Sequence, residues 1–275
     1  MSVARRTLSQ PAGWIGVVGV AGSTLLAVAG PWLAPCDPMA LVHPPHAPPS
    51  ALAWLGADAI GRDILSRILH GGAIVLGIAL STAALSVTAG VGLGAAAAWR
   101  GGWPDRAVRA ATDALLAMPP LLLQLVVAGV VHPLAGARVA WMVALLAATG
   151  WMGVARVTRA QVAALSQAGF VTAARAVGLS EAAIVRHHVL PHVAPYALTW
   201  AAMGASQALV AEASLSYLGL GLEAPWISWG SMLRDWGVGD PAHELAAPAL
   251  AILVTSVSWA LLADALARAL DRRDG

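Results

Sequence analysis

The stretch that decides the reading is 161–195, QVAALSQAGFVTAARAVGLSEAAIVRHHVLPHVAP. It is the longest segment of mixed polarity in an otherwise largely apolar chain, and it lies between two runs apolar enough to cross a membrane. The pattern predicts a helix over about 169–177, a break at Gly178, and a second helix opened by Ser180 that ends near Val189, ahead of Pro191. A serine hydroxyl at a helix start accepts from a first-turn N–H, and Glu181 beside it lies at the positive end of the helix dipole. Gly178 is where a chain reversing between two helices most cheaply takes a positive φ. Ala173, Ala174, Ala176, Ala182 and Ala183 give these helices small faces, and two such short helices cannot bury themselves alone. The segment reads as a docking element for another protein.

Outside this stretch the composition is that of a lipid-embedded chain. Of 275 residues 59% are hydrophobic and only 11% charged, with a mean hydropathy of +0.73. Soluble domains carry about a quarter charged residues, so this is a membrane protein. All sixteen basic residues are arginine. Without a lysine there is no Walker A phosphate loop, and any ATPase is a separate chain. A net charge of +2 with scattered arginines argues against nucleic-acid binding. Cys36 is the sole cysteine, which excludes an internal disulfide, and no Cys/His cluster has zinc spacing. Several of the twelve tryptophans fall near the ends of apolar runs, where an interfacial belt places them.

Working outward, apolar runs at about 139–154 and 193–215 flank the opening stretch, and further runs at 13–34, 73–99, 112–131 and 245–262 bring the expected spans to six. The first follows Arg5 and Arg6 and is read as an uncleaved span rather than a signal peptide, although Ala27-Val28-Ala29 resembles a cleavage site. Residues 35–55 are proline-rich and read as an extended extramembrane loop. His43 and His46 lie there at a spacing that can hold a metal, but without a third ligand they are read as loop histidines. Arg62, Asp63 and Arg67 are expected to form ion pairs across one helical turn. Asp113, near the start of the third predicted span, reads as a capping acid stabilised by the helix dipole. Small residues in the second span, among them Gly77, Gly90, Gly92 and Gly94, suit close helix packing in lipid.

The run Ala173-Ala174-Arg175-Ala176-x-Gly178-x-Ser180-x-x-x-Ile184-x-x-x-His188-x-Leu190-Pro191 resembles the cytoplasmic coupling loop of ABC-importer permeases, and more narrowly the second permease of the dipeptide/oligopeptide/nickel group. Further strings resemble the same group: Trp54-Leu55-Gly56-x-Asp58-x-x-Gly61-Arg62-Asp63-Ile64-Leu65-Ser66-Arg67, Thr112-Asp113-x-Leu115-Leu116-Ala117-x-Pro119, Ala211-Glu212-Ala213-x-Leu215-Ser216-Tyr217-Leu218-Gly219-Leu220-Gly221 and Ser228-Trp229-Gly230-x-Met232-Leu233. The departures are Thr172, where the family has a glutamate before its paired alanines, and Ala263 and Ala265, where glycines flank the acid matched by Asp264.

The resemblance implies an all-α integral membrane protein of the type I ABC importer permease (MetI-like) fold, with both termini cytoplasmic. The first domain is 1–72, a transmembrane helix with the proline-rich extracytoplasmic segment. The second is 73–275, a core of about five spans with coupling loop 157–192. It further implies a multi-pass protein of the bacterial inner membrane that imports di- or oligopeptides, with nickel or a metal chelate as the alternative cargo. The implied partners are a second homologous permease, two ATPase subunits that bind ATP and magnesium, and an extracytoplasmic binding protein. The chain itself is then a non-catalytic subunit with no cofactor or metal of its own. The coupling residues carried over are Thr172, Ala173, Ala174, Arg175, Gly178, Ser180, Ile184, His188, Leu190 and Pro191, with Glu212, Asp113 and Asp264 as gate or interface candidates.

Arginine counting gives the orientation independently. With the N-terminus inside, inner segments hold twelve arginines (Arg5, Arg6, Arg100, Arg106, Arg109, Arg156, Arg159, Arg175, Arg186, Arg268, Arg272, Arg273) and outer ones four (Arg62, Arg67, Arg138, Arg234). An ion-coupled secondary transporter is the competing class, but it needs ionisable residues within the spans, and only Glu212 and Asp264 approach that. An intramembrane enzyme is disfavoured, since neither a Gly-x-Ser-x-Gly elbow nor a His-Glu-x-x-His motif occurs.

Overall fold

The computed structural model describes residues 3–131 and 137–271. Arg272 and Arg273, counted above for orientation, lie outside the described residues. A short helix α1 (Val3–Leu8) leads into α2 (Pro11–Leu33), and an irregular extramembrane segment then leads to α3 (Ile64–Arg100). Next come α4 (Gly102–Leu116), α5 (Pro120–Val130) and α6 (Arg138–Leu165). The stretch 161–195 contains α7 (Gly169–Ala176) and α8 (Glu181–Ile184), continuing through a π-helical turn (Val185–Val189) into α9 (Leu190–Tyr217). A short outer helix α10 (Trp229–Asp235) precedes α11 (Ala242–Asp271). By length and composition α2, α3, α6 and α11 are able to cross a membrane, and the bent pair α4–α5 makes a fifth if counted as one span. α9, the fifth predicted span, has 28 residues but is less apolar than these, carrying Gln207, Glu212 and several serines.

α3 is the axis of the molecule. Its 37 residues rise about 55 Å, well beyond a hydrocarbon core of about 30 Å, so one rigid helix reaches from the outer surface to the inner one. It starts nine residues before the predicted span because Asp63 caps it, Oδ2 accepting the Ser66 N–H at 2.7 Å. Its most extensive partner is α6. Small residues set that approach: a Cβ on Gly94 would lie 2.6 Å from the Ala155 carbonyl oxygen, so only glycine permits the contact. Without a hydrophobic drive between helices in lipid, such close packing is the main source of association. Ile64, Val75, Leu76, Ile78, Met142, Leu145, Leu146, Leu209 and Leu215 form the main core.

Two further differences from the sequence reading change the path of the chain. The third predicted span is broken: α4 and α5 meet at 89°, with Pro119 and Pro120 at the corner. Proline disfavours helical backbone in the residue before it and lacks an N–H, which stops α4 and restarts the chain in a new direction. α4 is strongly amphipathic, its arginines facing away from the apolar side, whereas α5 is apolar apart from Gln124. The second helix of the opening stretch does not end near Val189 either. It runs on through the π turn, where the Leu190 N–H donates to the Val185 carbonyl, into α9, whose second residue is Pro191.

Candidate functional site: the inner coupling segment and the outer ion-pair network

At the inner end, α7 and α8 fold back beneath the bundle. Val171, Ala174, Ile184, Val189 and Val193 are buried together with Ala95 of α3 and Val162 of α6, and Trp99, Leu165 and Leu190 pack against them. Of the small residues seen in the sequence only Ala174 is buried here, while Ala173, Ala176 and Ala182 are exposed. Ser180 Oγ accepts the Ala183 N–H at 3.3 Å, the cap that the sequence predicts. Gly178 has φ +86°, a left-handed conformation, and nothing lies within 4 Å of a Cβ built there. On the turn that it makes, Val177 is 83% exposed and Leu179 42%. Thr172, Ala173 and Pro191 are also exposed, while His188 is half-buried.

A charged clamp spans the turn. Arg175 Nε donates to Glu181 Oε1 at 2.9 Å and Nη2 to Oε2 at 3.1 Å, a bidentate fork. The guanidinium lies 5.3 Å from the Trp99 ring centroid, a cation–π contact that ties the turn to the end of α3. The hydrogen bond from Arg175 is the main reason that the Glu181 carboxyl is held below its ordinary value. Phe170 stacks on His192 with centroids 5.2 Å apart, a second tie from α7 to α9.

Asp113 does not cap a helix start. It lies in the last turn of α4, where the dipole disfavours an acid, and pairs instead with Arg156 Nη2 at 2.7 Å. With Asp105, which accepts from Arg109 at 3.0 Å and Arg159 at 3.2 Å, it pins α4 to the inner end of α6. Asp264 pairs with Arg268 one turn on, and Arg268 Nε also donates to Gln10 at 2.8 Å. Ala263 and Ala265, the departures from the family glycines, are both fully buried.

At the outer end, the expected pairing of Asp63 with Arg62 and Arg67 is not what forms. Asp63 is the helix cap, and the acids that hold the arginines are Asp58 and Asp235. Asp58 Oδ2 accepts from Arg62 Nε at 2.6 Å and Arg67 Nη1 at 2.5 Å, while Asp235 Oδ2 accepts from Nη2 of each arginine at 3.1 Å. Asp58 Oδ1 takes the backbone N–H groups of Ile60 and Arg62. Asp58-x-x-x-Arg62 has legible i,i+4 spacing, but Asp235 lies 173 residues from Arg62 and no local signal announces it. Glu212 is fully buried, its Oε1 accepting from Ser216 Oγ at 2.6 Å, and that hydroxyl in turn takes the Leu222 N–H at 3.0 Å. A surface acid at the headgroup level is thereby excluded.

His43 and His46 diverge. His43 Nε2 faces Asp63 at 3.7 Å, whereas His46 Nδ1 is 2.7 Å from Glu244 Oε1, with Asp240 Oδ1 3.9 Å from Nε2. The loop histidine thus meets two acids, and His46, Asp240 and Glu244 bring three potential ligand atoms within 4.8 Å. The 2.7 Å contact is hydrogen-bond length, so the trio acts as a clasp between the proline-rich segment and α11.

Residues 90–273 match the family model described as binding-protein-dependent transport system inner membrane component. A putative peptide transport system permease protein of Brucella suis is 34% identical over 98% of this chain and 90% of its own length. The glutathione transport system permease protein GsiD of Pectobacterium atrosepticum is 33% identical over 81% of this chain and 73% of its own. The dipeptide transport system permease protein DppC of Bacillus subtilis is 32% identical over 90% and 77%. With several long apolar helices, an inner segment folded back on the bundle and a family match across two thirds of its length, the chain belongs to the inner-membrane permease components of binding-protein-dependent transport systems.

Proposed function

We propose that this chain forms half of the membrane pathway of an ATP-driven importer of di- and oligopeptides and passes motion to a separate ATPase subunit through residues 169–190. The observation that carries this is the two-sided coupling segment. One side is buried in the bundle through Val171, Ala174, Ile184 and Val189, while the turn at Gly178 projects Val177 and Leu179 outward. An apolar tip at the arginine-rich, cytoplasmic end is suited to a groove on a soluble partner. The Trp99–Arg175–Glu181 clamp makes the tip continuous with α3, so displacement of the tip moves a helix that reaches the outer surface. Alternating access follows if the partner's nucleotide-driven closure moves the tip. A second homologous permease, two ATPase subunits that bind ATP and magnesium, and an extracytoplasmic binding protein complete the assembly in this reading.

Peptide cargo is favoured because the relatives bear peptide-transport names. Nickel or a metal chelate has the His46–Asp240–Glu244 trio on its side, but that trio lies at the outer rim and is already hydrogen-bonded. The test is uptake into proteoliposomes holding the complex purified with its co-expressed partners. Peptide accumulation that requires ATP inside and binding protein outside agrees with the proposal. Accumulation driven by an ion gradient without ATP overturns it.

A further inference from the structure

A cavity of about 590 Å³ lies at mid-height between α3, α5, α6 and α9. Its wall carries Thr82, Ser86, Gln124, Thr149, Gln207 and Ser214, and none of the described residues lining it is charged. The size is that of a small-molecule site.

Three features separate it from ordinary packing. Thr82 and Ser86 are 4% and 5% exposed, and neither hydroxyl has a hydrogen-bond partner among the described residues, although a helical hydroxyl readily bonds the carbonyl one turn back, as Thr88 does. Gly150 keeps room for one of them, since a Cβ there would strike Ser86 Oγ. Gln124 does have a partner, donating to Thr149 Oγ1 at 2.9 Å, which fixes its carboxamide at the wall. Gln207 stands on the opposite wall, exposed, in the middle of α9. A carboxamide facing lipid at that depth is unfavourable, so this side of α9 faces the second permease, water or a polar solute.

We infer that this cavity is a station for the backbone amide groups of the transported peptide. The inference rests on the peptide-import reading above and deepens it. Hydroxyls donate and accept, and a carboxamide offers two donors and one acceptor, so the wall can satisfy both the N–H and the C=O of a peptide unit. With no ion at the wall it does not select among side chains or termini by sign. Such a site holds what all peptides share.

The cleanest probe is Gln207→Leu, at an exposed position where folding is undisturbed, with Thr82→Val as a buried, shape-conserving second variant. Uptake by the reconstituted complex is measured for alanine peptides of two to five residues and for counterparts with ester in place of amide linkages. Taking the wild-type to variant ratio solute by solute cancels the preference of the binding protein. The expected result is a ratio of about tenfold for the amides, falling towards one for the esters. Equal ratios for amides and esters, including no effect on either, overturn the inference and leave the importer reading intact. Failure of the wild-type complex to take up any of the peptides in an ATP-dependent manner overturns the importer reading, and the inference falls with it.

Discussion

Asp58 carries four hydrogen bonds on two oxygens while almost fully buried, so it is the acid on which the outer network rests. Burial alone raises its carboxyl, but the Arg62 backbone N–H, then the Arg67 and Arg62 guanidinium groups, outweigh this and hold it below the usual carboxylate range. Asp58→Asn leaves the buried Arg67 with Asp235 as its only acid, and breaking a buried pair in this way costs about 3–5 kcal/mol. Thermal unfolding of the purified protein in detergent reads the loss; an unchanged midpoint would refute the account of the network. His46 shows the opposite sign. Its hydrogen bond with Glu244 raises the imidazole above its ordinary value, against the smaller opposing effect of desolvation. A raised group stabilises fully below its unfolded value of about 6.5, and the contribution disappears as pH rises through the folded value. The melting-point difference between wild type and His46→Gln should accordingly be positive at acidic pH and shrink towards zero in alkali; a constant difference contradicts the clasp.

The helix–turn–helix of the coupling segment was legible in the sequence because its signals are local. A serine cap, a glycine at the reversal and alanine-rich faces appear in the structure where they stand in the chain. What was not legible depends on residues brought from elsewhere. The partner of Arg175 across the turn is six residues away, but Trp99 comes from a helix more than seventy residues earlier. The third predicted span failed for a different reason: hydropathy sees apolar residues on both sides of Pro119–Pro120 and is blind to the 89° corner between them. Asp113 was misplaced with it, since the helix to which it belongs starts at Gly102 and ends at Leu116. At this scale the sharpest test is Gly178→Val. A β-branched residue at φ +86° is strained although space is open, so the turn must deform rather than merely crowd. The expected outcome is normal membrane insertion with ATP hydrolysis uncoupled from uptake by about tenfold or more, because a left-handed position for a branched residue costs about 1–3 kcal/mol. Wild-type uptake by this variant would show that the turn geometry is irrelevant to coupling.

Across the whole molecule, α3 joins an ion-paired outer end to a clamped inner end, and α2 and α11 pack against it and against each other. The orientation of this axis has its own check. Cys36, the only thiol, lies at the outer end, its backbone N–H donating to Ser66 Oγ at 3.3 Å. A membrane-impermeant maleimide should label it from the extracytoplasmic side of intact inner membranes, whereas labelling solely after those membranes are opened would invert the topology. In the proposed function, the exposed tip beside Gly178 is where an ATPase subunit docks. The most direct measurement places a photo-crosslinking residue at Val177, which is 83% exposed, in the assembled complex and identifies the captured chain by mass spectrometry. The expected result is a crosslink to the ATPase subunit whose yield changes when nucleotide is added. Capture of lipid or of the extracytoplasmic binding protein, with no ATPase adduct in a complex that still hydrolyses ATP, would contradict it.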